Sequence, residues 1–215
     1  MNATAMMYLS RALVMLIAIP FHEAAHAFVS WKLGDSTAKD YGRLTLNPIA
    51  HFDPMGAICM IVAGVGWAKP VPTNAGRFRN PKAGMALTAL AGPVSNLLLA
   101  YISMILFKLV YYFTPDMLVF SYLLLFLKYM IIINVTLAVF NLLPVPPFDG
   151  SRIALTFLPR RQYFGIMKYE RYIFVAVFLV LMLGLLDGPL GFLQQAALSG
   201  LDWATGYLDL LAMRL

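Results

Sequence analysis

Ala5–Trp31 reads AMMYLSRALVMLIAIPFHEAAHAFVSW. A bilayer crossing needs about 20 mostly apolar residues, and this stretch supplies them. Its second half carries His22-Glu23-Ala24-Ala25-His26, an HExxH sequence on a predicted helix. His22 and His26 are four apart, so their imidazoles share one face and can hold one zinc ion. Glu23 lies beside them, placed to accept a proton from water activated by the metal. The competing reading is a polar patch whose histidines are satisfied by neighbours. The setting argues against it, because ionisable residues within an apolar span are costly and mark function. Pro20 precedes the motif and is expected to kink the helix. Such a kink is tolerated at membrane depth where the freed carbonyl meets water or protein, which fits a wet cavity at the metal. With no basic segment before it and no small-residue cleavage site after it, the stretch does not read as a cleaved signal peptide.

The rest of the chain agrees with a membrane setting. Its 215 residues suit a single domain, 1–215. Hydrophobic residues make up 61% and charged residues 12%. Soluble domains run at about 45–50% and 25%, so a water-facing surface cannot be covered. Disorder is excluded by the same apolar excess. The lone Cys59 excludes an internal disulfide framework and a cysteine-based zinc cluster. The net charge of +6 is expected to reflect cytoplasmic loops, with no nucleic-acid partner.

Three further runs are long enough to cross: Gly84–Phe113, Met117–Leu143 and Tyr172–Leu193. Gly56–Trp67 is too short and reads as a re-entrant or interfacial piece, where Gly64 and Gly66 permit a sharp turn. The tail, 194–215, is amphipathic and suits either the membrane surface or one more short crossing. Loop 32–83 carries Lys32, Lys39, Arg43, Lys69, Arg77, Arg79 and Lys82, and loop 144–171 carries Arg152, Arg160, Arg161, Lys168 and Arg171. The turn Thr114–Asp116 carries no basic residue. The positive-inside rule therefore puts both loops in the cytoplasm and the turn outside. Gly42–Asn47 reads as a short strand, and Trp67–Asn74, with Pro70 and Pro72, as an edge strand or extended segment.

A zinc hydrolase keeps three protein ligands and one open position. His51, Asp53, Asp149 and Glu170 are the candidates for the third. Asp149 closes the run Asn141-Leu142-Leu143-Pro144-Val145-Pro146-Pro147-Phe148-Asp149-Gly150, where prolines end the third span and are expected to leave an extended strip beside the acid. The topology puts Asp149 at the inner end of its span, level with His22 and His26. Asp-Gly after prolines also reads as a plain turn, and the ligand reading is preferred. His51, between two prolines, reads as a surface or structural histidine. Gly92 and Asn96, four apart in AGPVSN, form a face where a neighbouring helix can approach and share a hydrogen bond. Lys128 falls within the third span and should face the interior or water, unless the span starts later.

HEAAH in an early span, AGPVSN in the middle and NLLPVPPFDG late resemble the site-2 protease family of intramembrane zinc metalloproteases. The resemblance covers most of residues 15–155. GRLTLNP, HFDPMG and GWAKPVPTN in loop 32–83 look like the compact bacterial branch, without PDZ or nucleotide-sensing domains. The resemblance implies that His22, His26 and Asp149 bind one zinc per chain and that Glu23 is the catalytic base. It also implies that Asn96 and Asn141 lie near the site and support the substrate or transition state.

The expected fold is an all-α polytopic membrane protein. Three transmembrane helices form a core around the zinc, with one or two further helices and a small membrane-associated β-hairpin or re-entrant segment. The expected function is a zinc metalloendopeptidase that cuts a membrane-protein substrate in or near a transmembrane segment. The expected setting is a bacterial plasma membrane, with the site toward the cytoplasm and lipid as the other partner. The rival is a metal transporter or metal-gated membrane protein using the same His and Asp residues. A transporter has no need of Glu23 beside the first ligand, and the internal repeat such proteins often show is absent here.

Overall fold

The computed structural model describes residues 3–55, 68–159, 162, 165–166 and 168–214. The expected re-entrant run Gly56–Trp67, with Cys59, Gly64 and Gly66, lies outside the described residues, as do Arg160 and Arg161. In chain order the helices are α1 (Ala3–Lys32), α2 (Thr37–Asp40), α3 (Pro48–His51), α4 (Pro81–Phe113), α5 (Leu118–Asn141), α6 (Asp149–Leu155), α7 (Glu170–Met182), α8 (Asp187–Ala204) and α9 (Gly206–Ala212). Residues 5–32 of α1, all of α4 and all of α5 are long and apolar enough to cross a membrane. Pro20 and Pro93 sit inside α1 and α4 without ending either helix.

The run expected as one fourth span is instead α7 and α8, a broken pair bent by 84°. Gly184 sets the break. At φ +69° it occupies the left-handed region that other residues avoid. Its N–H donates to Leu181 at 3.0 Å, and that of Leu185 donates to Val180 at 3.2 Å. This pairing closes a helix on a left-handed glycine. The next helix then starts at Asp187, with Pro189 in its first turn, where a missing N–H costs nothing. The tail does not form one amphipathic piece, since α8 runs through to Ala204 and α9 follows.

Among the described residues there is no strand, so the expected β-hairpin is not found. Residues 42–47 form turns and bends ahead of α3, whose first turn is capped by the Asn47 side chain. Residues 68–74 carry no regular structure. Pro70 and Pro72 have no N–H to give a ladder. The Lys69 and Pro70 carbonyls are taken by the Arg43 guanidinium, both at 2.9 Å. A side chain has replaced the partner strand. The strip after α5 is also not extended. It is a run of turns, with a cis bond between Pro146 and Pro147.

The chain divides into two compact units. One comprises residues 1–18, 96–140 and 177–215. Its interior is built of apolar and small residues, among them Val14, Ala18, Ala100, Ser103, Leu127, Val135 and Ala138. Between apolar helices in lipid there is no hydrophobic drive, and small residues let backbones approach for packing. Arg11 stands 5.1 Å over the Tyr129 ring. Buried Lys108 reaches Asp202 and Asp209, both at 2.7 Å, which ties α4 to the C-terminal helices. Lys128 is exposed on α5. Leu13, Leu16, Leu98, Ile102, Leu106 and Ile132 are exposed too, as lipid-facing side chains would be.

The other unit comprises residues 19–95 and 141–176. It holds the HExxH half of α1, the first half of α4, the loops between them, and the turn leading into α6. Ala27, Ala38, Phe78, Ala89 and Leu155 are buried here, together with His22, His26, Asp35, Arg43 and His51.

Candidate metal centre

Helix α1 puts His22 and His26 one turn apart, and both are buried. Asp149 opens α6, and the preceding turn folds back so that Gly150 lies directly against the Leu142 and Leu143 carbonyls. A Cβ at position 150 would overlap the Leu142 carbonyl, so this turn needs glycine. The fold-back brings the Asp149 carboxylate to the two imidazoles.

Three ligand atoms converge. His22 Nε2 and His26 Nε2 are 3.0 Å apart. Asp149 Oδ2 is 3.1 Å from the first and 3.2 Å from the second. Atoms around a tetrahedral zinc at about 2.0–2.1 Å sit about 3.3 Å from one another, so the triangle has the right size. Its chemistry fits as well. His26 Nδ1 lies 2.7 Å from the Thr88 carbonyl oxygen. A carbonyl only accepts, so Nδ1 carries the proton and Nε2 of the neutral ring offers a lone pair. Asp149 Oδ2 is buried and receives no hydrogen bond. The three atoms thus face one point, an arrangement that a cation satisfies.

Gly92 of α4 leaves room for this cluster. A Cβ there would stand 2.5 Å from both His22 Cε1 and His26 Nε2. Among the described residues no other group of His, Cys, Asp or Glu has metal-binding geometry. Asp53 and Glu170, weighed as third ligands, are not part of it. His51 is 1% exposed and not at the surface, and its Nε2 donates to the Thr45 carbonyl at 2.8 Å. It is a structural histidine of the loop. Asn96 is fully buried in the first-described unit and donates to Asn134 Oδ1 at 2.8 Å. Asn141 ends α5, half-buried, in the unit that holds His22, His26 and Asp149. Glu23 is half-buried on α1.

The Thr88 carbonyl was beyond sequence reading, because a backbone acceptor leaves no residue signature. Gly92 did leave one, in the small residue four before Asn96.

The sequence model of peptidase family M50 matches residues 10–185. The chain belongs to peptidase family M50. Its relatives within M50 include "Putative zinc metalloprotease YwhC" of Bacillus subtilis, 46% identical over 171 residues, which are 79% of this chain and 78% of that protein. "Putative zinc metalloprotease Rip2" of Mycolicibacterium smegmatis is 34% identical over 143 residues, and its Mycobacterium tuberculosis counterpart is 31% identical over 139. The matched segment spans 52% of each Rip2 chain. No solved structure matches. As an M50 member the protein is a membrane zinc metalloprotease, with zinc as its cofactor.

Proposed function

We propose that this M50 metalloprotease hydrolyses a peptide bond in or near a transmembrane segment of a membrane-protein substrate, as in regulated intramembrane proteolysis. The observation that carries the reading is the triangle of His22, His26 and Asp149 in a chain with three helices fit to cross a membrane. These three residues hold the metal. Bound zinc supplies a Lewis acid that polarises a carbonyl and makes water acidic near neutral pH. Glu23 takes a proton from the attacking water on its carboxylate and returns it to the leaving nitrogen. Thr88 fixes the His26 ring through the Nδ1 proton. Asn141, in the same unit as the ligands, supports the substrate near the reacting carbonyl. Asn96 supports it as one half of its amide pair with Asn134.

A substrate helix hides its carbonyls in hydrogen bonds and must unwind before it is cut. Residues 68–74 then receive the unwound chain by strand addition. The setting is a bacterial plasma membrane, with the site opening to the cytoplasm.

Metal content of the purified protein, paired with cleavage of a model transmembrane substrate, tests the assignment. About one zinc per chain is expected, lost in Asp149→Ala and kept in His51→Ala. Full zinc in Asp149→Ala, with loss in His51→Ala, overturns the ligand set.

A further inference from the structure

Lys128 is the one charged residue of α5, and it is exposed. The helix has 24 residues, about 36 Å at 1.5 Å per residue. Lys128 stands ten residues after Leu118 and thirteen before Asn141. A hydrocarbon core takes about 20 residues of helix, so α5 cannot slide far enough to bring Lys128 to either headgroup layer. Its four-carbon stem does not span the remaining depth to a lipid phosphate.

Arg11 joins it from α1. Its guanidinium stands 5.1 Å over the ring of Tyr129, the residue next to Lys128, and Arg11 is exposed too. It lies within the apolar stretch Ala5–Lys32. A ring face attracts a cation without neutralising it. Among the described residues, the ion pairs involve Arg77, Lys108, Arg152 and the two histidines, and neither Arg11 nor Lys128. All ten Asp and Glu side chains belong to the described residues, so no other acidic side chain of the chain is left to pair with them.

Lys108, in the same unit, gives the contrast. It also lies in an apolar helix, where it is buried and reaches Asp202 and Asp209, each at 2.7 Å. Cations within apolar spans are costly, and they face an interior, water or a partner charge. For Arg11 and Lys128 that charge has to come from another molecule. Ser121, Leu125, Lys128 and Ile132 recur at helical spacing on one face of α5, and Ser121, Lys128 and Ile132 are exposed. A second membrane helix can pack along such a face and hydrogen-bond across it. A second copy of this chain does not qualify. Within the three stretches fit to cross a membrane, its one acidic residue is Glu23 of the HExxH motif.

We propose that Arg11 and Lys128 form a docking site for a transmembrane helix of another protein, one that carries an Asp or Glu at mid-membrane depth. The helix lies along α5 with its carboxylate facing the two cations. Each partner then offsets the cost of the other's charge in lipid. The inference goes beyond the proteolytic reading and stands without it, because an acidic helix is held here whether or not it is then cut.

The test uses the full chain in phosphatidylcholine vesicles with a labelled model helix of Leu and Ala, and reads association by energy transfer. The helix carries one Glu at its midpoint, and the controls carry Gln there or Glu near one end. The midpoint-Glu helix should bind about tenfold tighter than either control, the size of a polar contact between helices in lipid. Arg11→Gln and Lys128→Met should each cut that preference, with zinc content and helix content unchanged. In an Arg11→Gln background, Lys128→Glu should turn the preference round, so that a midpoint-Lys helix binds better than a midpoint-Glu helix. A merely structural lysine would not produce that reversal. If Lys128→Glu does not fold, the double variant Arg11→Gln, Lys128→Met decides. A wild-type protein that does not distinguish Glu from Gln overturns the inference, and so does a preference that survives in full in the double variant. A preference lost when phosphatidylglycerol replaces part of the phosphatidylcholine overturns it as well, and assigns the two cations to a lipid headgroup.

Discussion

His26 donates its Nδ1 proton to the backbone carbonyl of Thr88 at 2.7 Å. The two residues are 62 apart in the chain, on α1 and α4. The bond sets the tautomer of a proposed metal ligand, and it comes from a helix that also supplies clearance at Gly92. Partners of this kind are worth about 10–100-fold in metal affinity. α4 is thus part of the proposed metal centre although none of the three candidate ligands lies on it.

Gly92→Ala tests that statement. The added Cβ meets two imidazole edges at 2.5 Å, and neither ring can retreat while keeping its lone pair on the common point. Zinc retention should fall at least tenfold, with helix content by circular dichroism unchanged. Full zinc and full activity in Gly92→Ala would mean that the rings have room the structure does not show.

Glu23→Gln separates binding from chemistry. The amide keeps the shape and removes the base. Zinc should remain at about one per chain while cleavage falls by about 10² or more. An unchanged rate would sink the proposed role of Glu23, and metal flux that survives the substitution would favour the transporter reading.

How much of this was legible in the sequence follows from the range of each interaction. The HEAAH spacing is local to one helix, so the paired imidazoles could be read directly. The long apolar runs predicted α4 and α5 to within three residues at each end, since hydrophobic length is also local. Asp149 needed topology, and could only be preferred over a turn. The strand expected at 42–47 was misread because edge propensity was visible while the Arg43 side chain, which takes the Lys69 and Pro70 carbonyls, was not. The bend at Gly184 had its signals in Gly184, Gly188 and Pro189, but the apolar run around them outweighed those signals. His51, between two prolines, read as a surface or a structural histidine, and its burial and its bond to the Thr45 carbonyl decide for the second.

The buried Asp35 carboxylate makes stability depend on pH. Burial pushes its pKa up, but hydrogen bonds from Thr37, Asn74 and Ser30 outweigh burial and hold it below its ordinary 3.8. A depressed carboxylate stabilises the fold above its unfolded pKa, and the contribution is lost as pH falls through the folded value. Asp35→Asn should lower stability in detergent at pH 7 by about 1–3 kcal/mol, the cost of unmatched hydrogen bonds to a charged group. The gap to wild type should close below about pH 3.8. A gap that is constant from pH 7 down to pH 3 would show that the charge of Asp35 is not what the loop depends on.

The last prediction is topological, because the ligands must reach one level. Twelve basic residues lie in loops 32–83 and 144–171 and none in Thr114–Asp116. That asymmetry puts both loops in the cytoplasm and the turn outside. Asn80, Pro115 and Gln162 are all exposed and stand at the ends or loops concerned. Single cysteines at these positions in a Cys59→Ser background report their side by reaction with an impermeant reagent applied from outside. Cysteines at Asn80 and Gln162 should be protected, and one at Pro115 should react. α4 joins Asn80 to Pro115 with 33 residues, about 50 Å at 1.5 Å per residue, more than the roughly 30 Å hydrocarbon core requires. If Asn80 and Pro115 were labelled from the same side, α4 would not cross. The helix that carries Thr88 and Gly92 would then lie outside the bilayer frame shared by α1 and α5, and the metal site would lack its membrane setting.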